Sequence, residues 1–289
     1  MLERVRLPTR IHQVWTESGM DSIDACFDIR VFMDYPHDIS YCYNSRGFRD
    51  DEWPEDLNSA VWCFGDSFTV GLGVPIDHTW PRVLQQALNR RCINVSMDGA
   101  SNNWIARTAN TVLSDTRPNV AVIQWSFIER REGPQPQGFD NKSWYVMYQS
   151  IRDPSWPDCN NINDFPRLPV NIQQEILNVF LPQHPLVTDE QLRSGCIACT
   201  EQEDIRNTLD CIHSVEATAR AQGTQLIHSF IPMFMIDPLL SEFFAELDRN
   251  NYTHIGATTQ LDLARDGYHY DIKTAQEIVK RIVKIIVNK

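Results

Sequence analysis

The sequence predicts an α/β fold: a three-layer α/β/α sandwich on a mostly parallel, five-stranded sheet. Two observations carry this. From residue 59 onward, apolar runs of strand length alternate with longer segments whose apolar residues recur at helical spacing. The short runs are mostly apolar, as strands covered on both faces are. Such alternation closes as parallel βαβ units with helices on both sides of the sheet.

The elements follow in order. Val61-Trp62-Cys63-Phe64 is a buried strand ending at Gly65. Thr79 reads as an N-cap, with Pro81 in the first turn and Trp80, Val83, Leu84, Ala87 and Leu88 at helical spacing. Ile93-Asn94-Val95 is the second strand, and Ser101 caps a helix whose apolar face is Ile105, Thr108, Ala109, Val112 and Leu113. Pro118 introduces the third strand, Val120 to Trp125. A long helix from about Thr200 to Gln222 is ended by Gly223, and Gln225 to Ile231 is the fourth strand, stopped by Pro232. Pro238 opens a helix through Leu247, and Tyr252 to Ile255 is a short fifth strand. The last helix repeats Ile272, Ala275, Ile278, Val279, Ile282, Val283 and Ile286 on one face. The expected arrangement is flavodoxin-like, and ligands of such sheets bind beyond the carboxyl ends of the strands.

Two segments break the pattern. Residues 1–58 are polar and aromatic with little helical period, and are expected to form a β-rich lead-in packed on the 59–289 domain. Residues 130–199 hold eight of the sixteen prolines together with Trp144, Tyr145, Tyr148 and Trp156. A connection so long is usually functional or disordered, and its aromatic content argues for an ordered cap.

Composition narrows the function classes. Of the 289 residues, 42% are hydrophobic and 22% charged, as in a globular protein. No apolar run approaches the ~18 residues of a membrane span. The formal net charge of −12, with no basic stripe, argues against a nucleic-acid partner. Met1 to Arg6 shows no apolar h-region, so the expectation is a cytoplasmic protein, one released without a visible signal peptide, or one cloned without its leader. Cys196-Ile197-Ala198-Cys199 has CxxC spacing, which Cys159 and Cys211 could complete as a zinc site. No second CxxC or close His pair accompanies it, so free thiols, no metal and no cofactor are expected.

Three loops at the strand ends carry candidate chemistry. Gly65-Asp66-Ser67-Phe68-Thr69-Val70-Gly71 follows the first strand. A glycine-flanked turn there exposes a hydroxyl and offers backbone donors to an oxyanion, although the same residues make ordinary turns. Asp266-Gly267-Tyr268-His269 precedes the last helix at the same sheet edge. A histidine can take the serine proton and a carboxylate can orient it. The other seven histidines read as solvated. After the second strand, Gly99 lets a backbone N–H approach a ligand, and Ser101 and Asn102 open a helix whose N–H groups favour negative charge.

Together these blocks resemble the SGNH branch of the GDSL esterases and lipases. Asn44-Ser45-Arg46-Gly47-Phe48-Arg49 resembles the lead-in often found before that family's serine block. The resemblance covers residues 40–130 and 200–289; the 130–199 segment matches nothing. It implies that Ser67 attacks an acyl carbonyl, with His269 as base and then acid, Asp266 as its orienting partner, and the backbone N–H groups of Ser67 and Gly99 as the oxyanion hole. There is one departure. The family's Gly-x-Asn-Asp block at the end of the third strand reads Gln124-Trp125-Ser126-Phe127-Ile128-Glu129-Arg130, without asparagine. Losing one oxyanion donor costs ~10²–10³ in rate, so Asn102, or Ser126 through its hydroxyl, is expected to substitute.

The expected function is a serine esterase acting on a short-chain ester, such as O-acetyl on a carbohydrate. Asp66, Trp125 and Trp144 are the expected substrate contacts. The alternatives are acyl transfer by the same residues, or a catalytically silent glycan-binding or virion-associated module on the same fold.

Overall fold

The computed structural model describes residues 2–128, 130, 148, 152–157, 165, 168–180, 201–232 and 238–288. The lead-in holds β1 (Val14–Trp15), the short helix α1 (Ile29–Asp34) and β2 (Tyr41–Cys42), which pairs antiparallel with β1. The expected β-rich lead-in is therefore mostly turns. Side chains satisfy backbone that a ladder would otherwise pair: Asn44 Oδ1 accepts the N–H groups of Arg46 and Phe48 at 2.9 and 3.1 Å.

The sheet region follows as β3 (Val61–Gly65), α2 (Ser67–Val70), α3 (Trp80–Leu88), β4 (Cys92–Ser96), α4 (Asn102–Thr116) and β5 (Val120–Trp125). After α5 (Val170–Phe180) come α6 (Glu201–Gln222), β6 (Gln225–Phe230), α7 (Pro238–Arg249) and α8 (Ile272–Val287). The four long strands lie in the order β4-β3-β5-β6 and pair in parallel. Among the described residues the fifth strand is reduced to one parallel bridge, His228 with His254. Left-handed residues bracket it, Asn251 at φ 55° and Gly256 at φ 74°, so the extended run is too short to form a ladder.

Every residue of β3, β4 and β5 is buried, and their composition is accordingly mostly apolar, with Asn94, Ser96 and Gln124 the buried polar exceptions. On one face Val61, Cys63, Val120, Val122 and Ile227 pack with Val83 and Leu84 of α3 and Ala275, Ile278, Val279 and Ile282 of α8. Helix α4 contacts β3 and β5, and α6 reaches the opposite face through Glu216. The caps are mostly those read from sequence: Ser101 accepts the Trp104 N–H at 3.2 Å, and Gly223 leaves α6 at φ 72°. Thr79 differs, since its hydroxyl donates to the Ile76 carbonyl at 2.8 Å instead of capping α3. No helix among the described residues is long and apolar enough to cross a membrane.

The chain divides into two compact units, residues 1–127 with 208–289, and residues 128–207. In the second, Ile172, Ile176 and Leu177 of α5 are buried, as are Tyr148, Phe165 and Leu168.

His228 is core rather than solvated. Its Nδ1 accepts the Trp125 indole N–H at 3.0 Å, so the ring proton sits on Nε2 and donates to Glu216 at 3.0 Å. Burial pushes the imidazole's pKa down, against the pull of Glu216. With a depressed folded pKa, the unfolded chain takes up this proton first, from ~6.5 downward. Stability from this group is therefore complete above ~6.5 and is lost as pH falls, by at most about 1.4 kcal/mol per unit, levelling off below the folded value. His228→Gln keeps an acceptor for Trp125 and a donor for Glu216. It is expected to flatten that slope in urea melts between pH 7.5 and 5; an unchanged slope would exclude His228 as its source.

Candidate active site

The site is assembled where β3, β4 and β5 end. Gly65 closes β3 because nothing larger fits: a Cβ there would lie 2.0 Å from Thr69 Oγ1. Asp66 then caps α2, accepting the Phe68 N–H at 3.1 Å, and Ser67 opens the first turn. Gly71, at φ 77°, ends the helix with its N–H on the Ser67 carbonyl at 2.9 Å.

Arg49, in the lead-in, holds the other end of this block. Its guanidinium donates to the carbonyls of Gly71 (2.5 Å), Val74 (2.8 Å), Ser40 (3.0 Å) and Val70 (3.3 Å), and lies 4.1 Å from the Tyr41 ring centre. Burial pushes its pKa down. Arg49→Met would leave several buried carbonyls unpaired at ~1–3 kcal/mol each. A loss of at least ~3 kcal/mol in urea unfolding is expected; a change below ~1 kcal/mol would mean that water or neighbours replace the guanidinium.

His269 and Asp266 sit in the loop before α8. Asp266 Oδ1 accepts the N–H groups of Tyr268 and His269 at 2.9 and 3.0 Å, folding the loop back on the carboxylate. Its Oδ2 lies 2.5 Å from His269 Nδ1, and His269 Nε2 lies 2.8 Å from Ser67 Oγ. The three residues are at most 3% exposed, so these contacts act in a nearly dry environment. Burial pulls the Asp266 pKa up, but the His269 ring and the two backbone N–H groups outweigh it, and the carboxyl lies below its ordinary value. An ionised Asp266 accepts a hydrogen bond from the Nδ1–H, which holds the proton on Nδ1 and leaves the Nε2 lone pair facing Ser67.

The lead-in braces this loop, which the sequence did not disclose. Arg265 donates to Asp21 at 2.7 and 2.6 Å, and Tyr41 donates to the same carboxylate at 2.5 Å. The Gly73 N–H donates to the Tyr41 hydroxyl at 2.8 Å, the Gly73 carbonyl accepts the Arg265 N–H at 2.8 Å, and the Phe27 N–H donates to the Asp266 carbonyl at 2.7 Å. Asp21 and Arg265 are 244 positions apart, and no local pattern links them. Gln124, also missed, accepts from Thr69 (3.1 Å) and Tyr270 (3.2 Å), joining the serine block to the residue after His269.

The remaining candidates are placed as follows. Gly99 is exposed on the loop after β4, at φ 71°, with nothing within 4 Å of where a Cβ would stand. Both side chains expected to donate to an oxyanion are engaged elsewhere. Asn102 donates its amide to Thr208 (3.1 Å) and to the carbonyls of Ser126 (3.3 Å) and Phe127 (3.4 Å), and Ser126 donates its hydroxyl to Asp66 at 2.6 Å. Asp66 and Trp125, expected as substrate contacts, are both 0% exposed, Asp66 as the cap of α2 and Trp125 inside the sheet with its N–H on His228. Trp144, Glu129, Cys159, Cys196 and Cys199 lie outside the described residues. Among the described residues, no group of three His, Cys, Asp or Glu could hold a metal ion, and Cys26, Cys42, Cys63 and Cys92 are free thiols.

No protein-family model matches the chain, and no curated protein matches it. Solved structures do. A crystal structure of TesA is 13% identical, with 78% of this chain and 97% of that one covered at a TM-score of 0.45. A member of the lipolytic protein G-D-S-L family from Veillonella parvula DSM 2008 is 12% identical, over 80% and 99%, at 0.42. Esterase EstA from a Pseudoalteromonas species is 13% identical, over 80% and 100%, at 0.41. The chemistry of this chain rests on its own side chains. The solved structures that the chain resembles thus include a lipolytic protein of the G-D-S-L family and an esterase.

Proposed function

We propose that this chain is a serine esterase that cleaves short-chain carboxylic esters through an acyl-serine intermediate. The observation that carries the reading is the continuous line from Asp266 through His269 to Ser67, with contacts of 2.5 and 2.8 Å. Serine is a weak nucleophile until a base removes its proton, and here an imidazole with its lone pair on Ser67 Oγ stands ready. His269 takes that proton as Ser67 attacks the acyl carbonyl and returns it to the leaving alcohol. Water, deprotonated by the same imidazole, then releases the acid. Asp266 supports the imidazolium at both stages. The oxyanion is received by the N–H of Ser67, at a helix's first turn where backbone donors lack intrahelical partners, and by that of Gly99 on the neighbouring loop.

The acyl group in this reading is small, and an O-acetyl on a carbohydrate is the proposed natural form. The near-complete burial of Ser67 and His269 supports a small acyl group. The aromatic residues of the 130–199 segment suit the face of a sugar ring. The test is kcat/KM across p-nitrophenyl acetate, butyrate and octanoate, beside acetate release from acetylated oligosaccharides. Acetate is expected to be the best acyl group and the acetylated sugar the better substrate. Preference for octanoate would remove the short-chain assignment, and acetylated sugars left intact would remove the carbohydrate one.

A further inference from the structure

Three buried residues at the carboxyl end of the sheet, Asn102, Ser126 and Asp66, are hydrogen-bonded in series, through the main chain of Ser126 on one side and its hydroxyl on the other. Asn102, at the start of α4 and 0% exposed, pairs with the main chain of Ser126: its Oδ1 accepts the Ser126 N–H at 2.8 Å and its Nδ2 donates to the Ser126 carbonyl at 3.3 Å. The same Nδ2 donates to Thr208 Oγ1 at 3.1 Å, anchoring the amide to α6. The Ser126 hydroxyl donates to Asp66 Oδ2 at 2.6 Å, and Asp66 Oδ1 accepts the Phe68 N–H at 3.1 Å. A hydrogen-bonded strut therefore runs from the N-terminus of α4, across the end of β5, to the first turn of α2.

Its two ends are the loops that supply the oxyanion donors in the mechanism above. Ser67 directly follows Asp66, and Gly99 lies three residues before Asn102. Gly99 is exposed and uncrowded, so packing around the glycine itself does little to fix where its N–H points. We propose that Asn102 and Ser126 are positioning residues: through Asp66 they set the spacing between the Ser67 and Gly99 N–H groups, and neither donates to the oxyanion itself. The inference rests on the ester-hydrolase reading. Its physical basis is preorganisation, because donors help a transition state only when they already point at the place where charge develops. A buried chain of hydrogen bonds, each bond polarising the next, is stiff enough to hold them there.

The experiment measures kcat and KM on p-nitrophenyl acetate, and the Ki of phenylboronic acid, which forms a tetrahedral adduct with an active serine. The proteins are the full chain and its Ser126→Ala, Ser126→Thr, Asn102→Ala, Ser126→Ala/Asn102→Ala and Ser67→Ala variants, each confirmed folded by a cooperative melt. Ser126→Ala deletes one oxygen, so the test survives even if Asn102→Ala does not fold. Expected are a ~10- to 100-fold fall in kcat for Ser126→Ala with KM within ~2-fold, and a comparable weakening of the boronate. Ser126→Thr, which restores the hydroxyl, should recover most of the loss. The double variant should be no slower than its slower parent, since both residues act through one strut. A folded Ser126→Ala with wild-type kcat, a loss that Ser126→Thr does not recover, or losses that multiply in the double variant would each overturn the strut. Turnover that survives Ser67→Ala is a separate result: it overturns the hydrolase reading and the strut with it.

Discussion

Ser67→Ala is expected to lower kcat for p-nitrophenyl acetate by ~10⁴–10⁶ while leaving a folded protein. The variant loses only Oγ, the atom 2.8 Å from His269 Nε2, and with it the possibility of an acyl-enzyme. A buried hydroxyl of this kind contributes ~1 kcal/mol to stability, so the melt should shift by only a few degrees. His269→Ala should be nearly as slow, and the pair together no slower than either alone, because nucleophile and base act in one step. A fluorophosphonate should label the wild type on the peptide carrying Ser67 and leave the variant unlabelled. Turnover above a tenth of wild type in Ser67→Ala would place the nucleophile elsewhere. A wild type that neither turns over nor labels would point to a silent binding module on this fold.

That Ser67, His269 and Asp266 would meet at one sheet edge was legible in the sequence because each lies in a short block whose residue types are dictated locally. Gly65 must be small beside Thr69, Asp66 must cap α2, and the Asp-Gly turn at 266–267 folds the carboxylate back on its own loop. The strands were legible for a related reason, since burial on both faces leaves a mostly apolar run. What escaped were interactions between distant segments. Asp21 with Arg265, and Arg49 with the carbonyls of α2 and the turn after it, join a polar lead-in to the site across separations that no periodicity records. Asn102, Ser126 and Trp125 show a different limit. Sequence put polar and aromatic residues at the correct edge of the sheet, but it could not say that their hydrogen bonds would be satisfied by Asp66, Thr208 and His228 instead of a ligand.

Asp266→Asn is the second large effect, and its sign follows from the imidazole's tautomer. The ionised carboxylate binds the Nδ1 proton and keeps the Nε2 lone pair on Ser67. An asparagine can turn its NH₂ toward Nδ1, which favours the tautomer with the proton on Nε2, pointing at Ser67 and unable to accept from it. A kcat loss of ~10⁴ is expected, with KM little changed. The same substitution has a signature in acid unfolding. A carboxyl whose folded pKa lies below its unfolded ~3.9 contributes stability that is present above that value and lost as pH falls through the folded one. Asp266→Asn removes this contribution, so the gap in stability between wild type and variant should be full at pH 6 and narrow steadily below pH ~3.9. A kcat within tenfold of wild type would show that Ser67 and His269 work as a dyad. A stability gap that does not narrow in acid would show that the folded structure does not favour the charged form of Asp266.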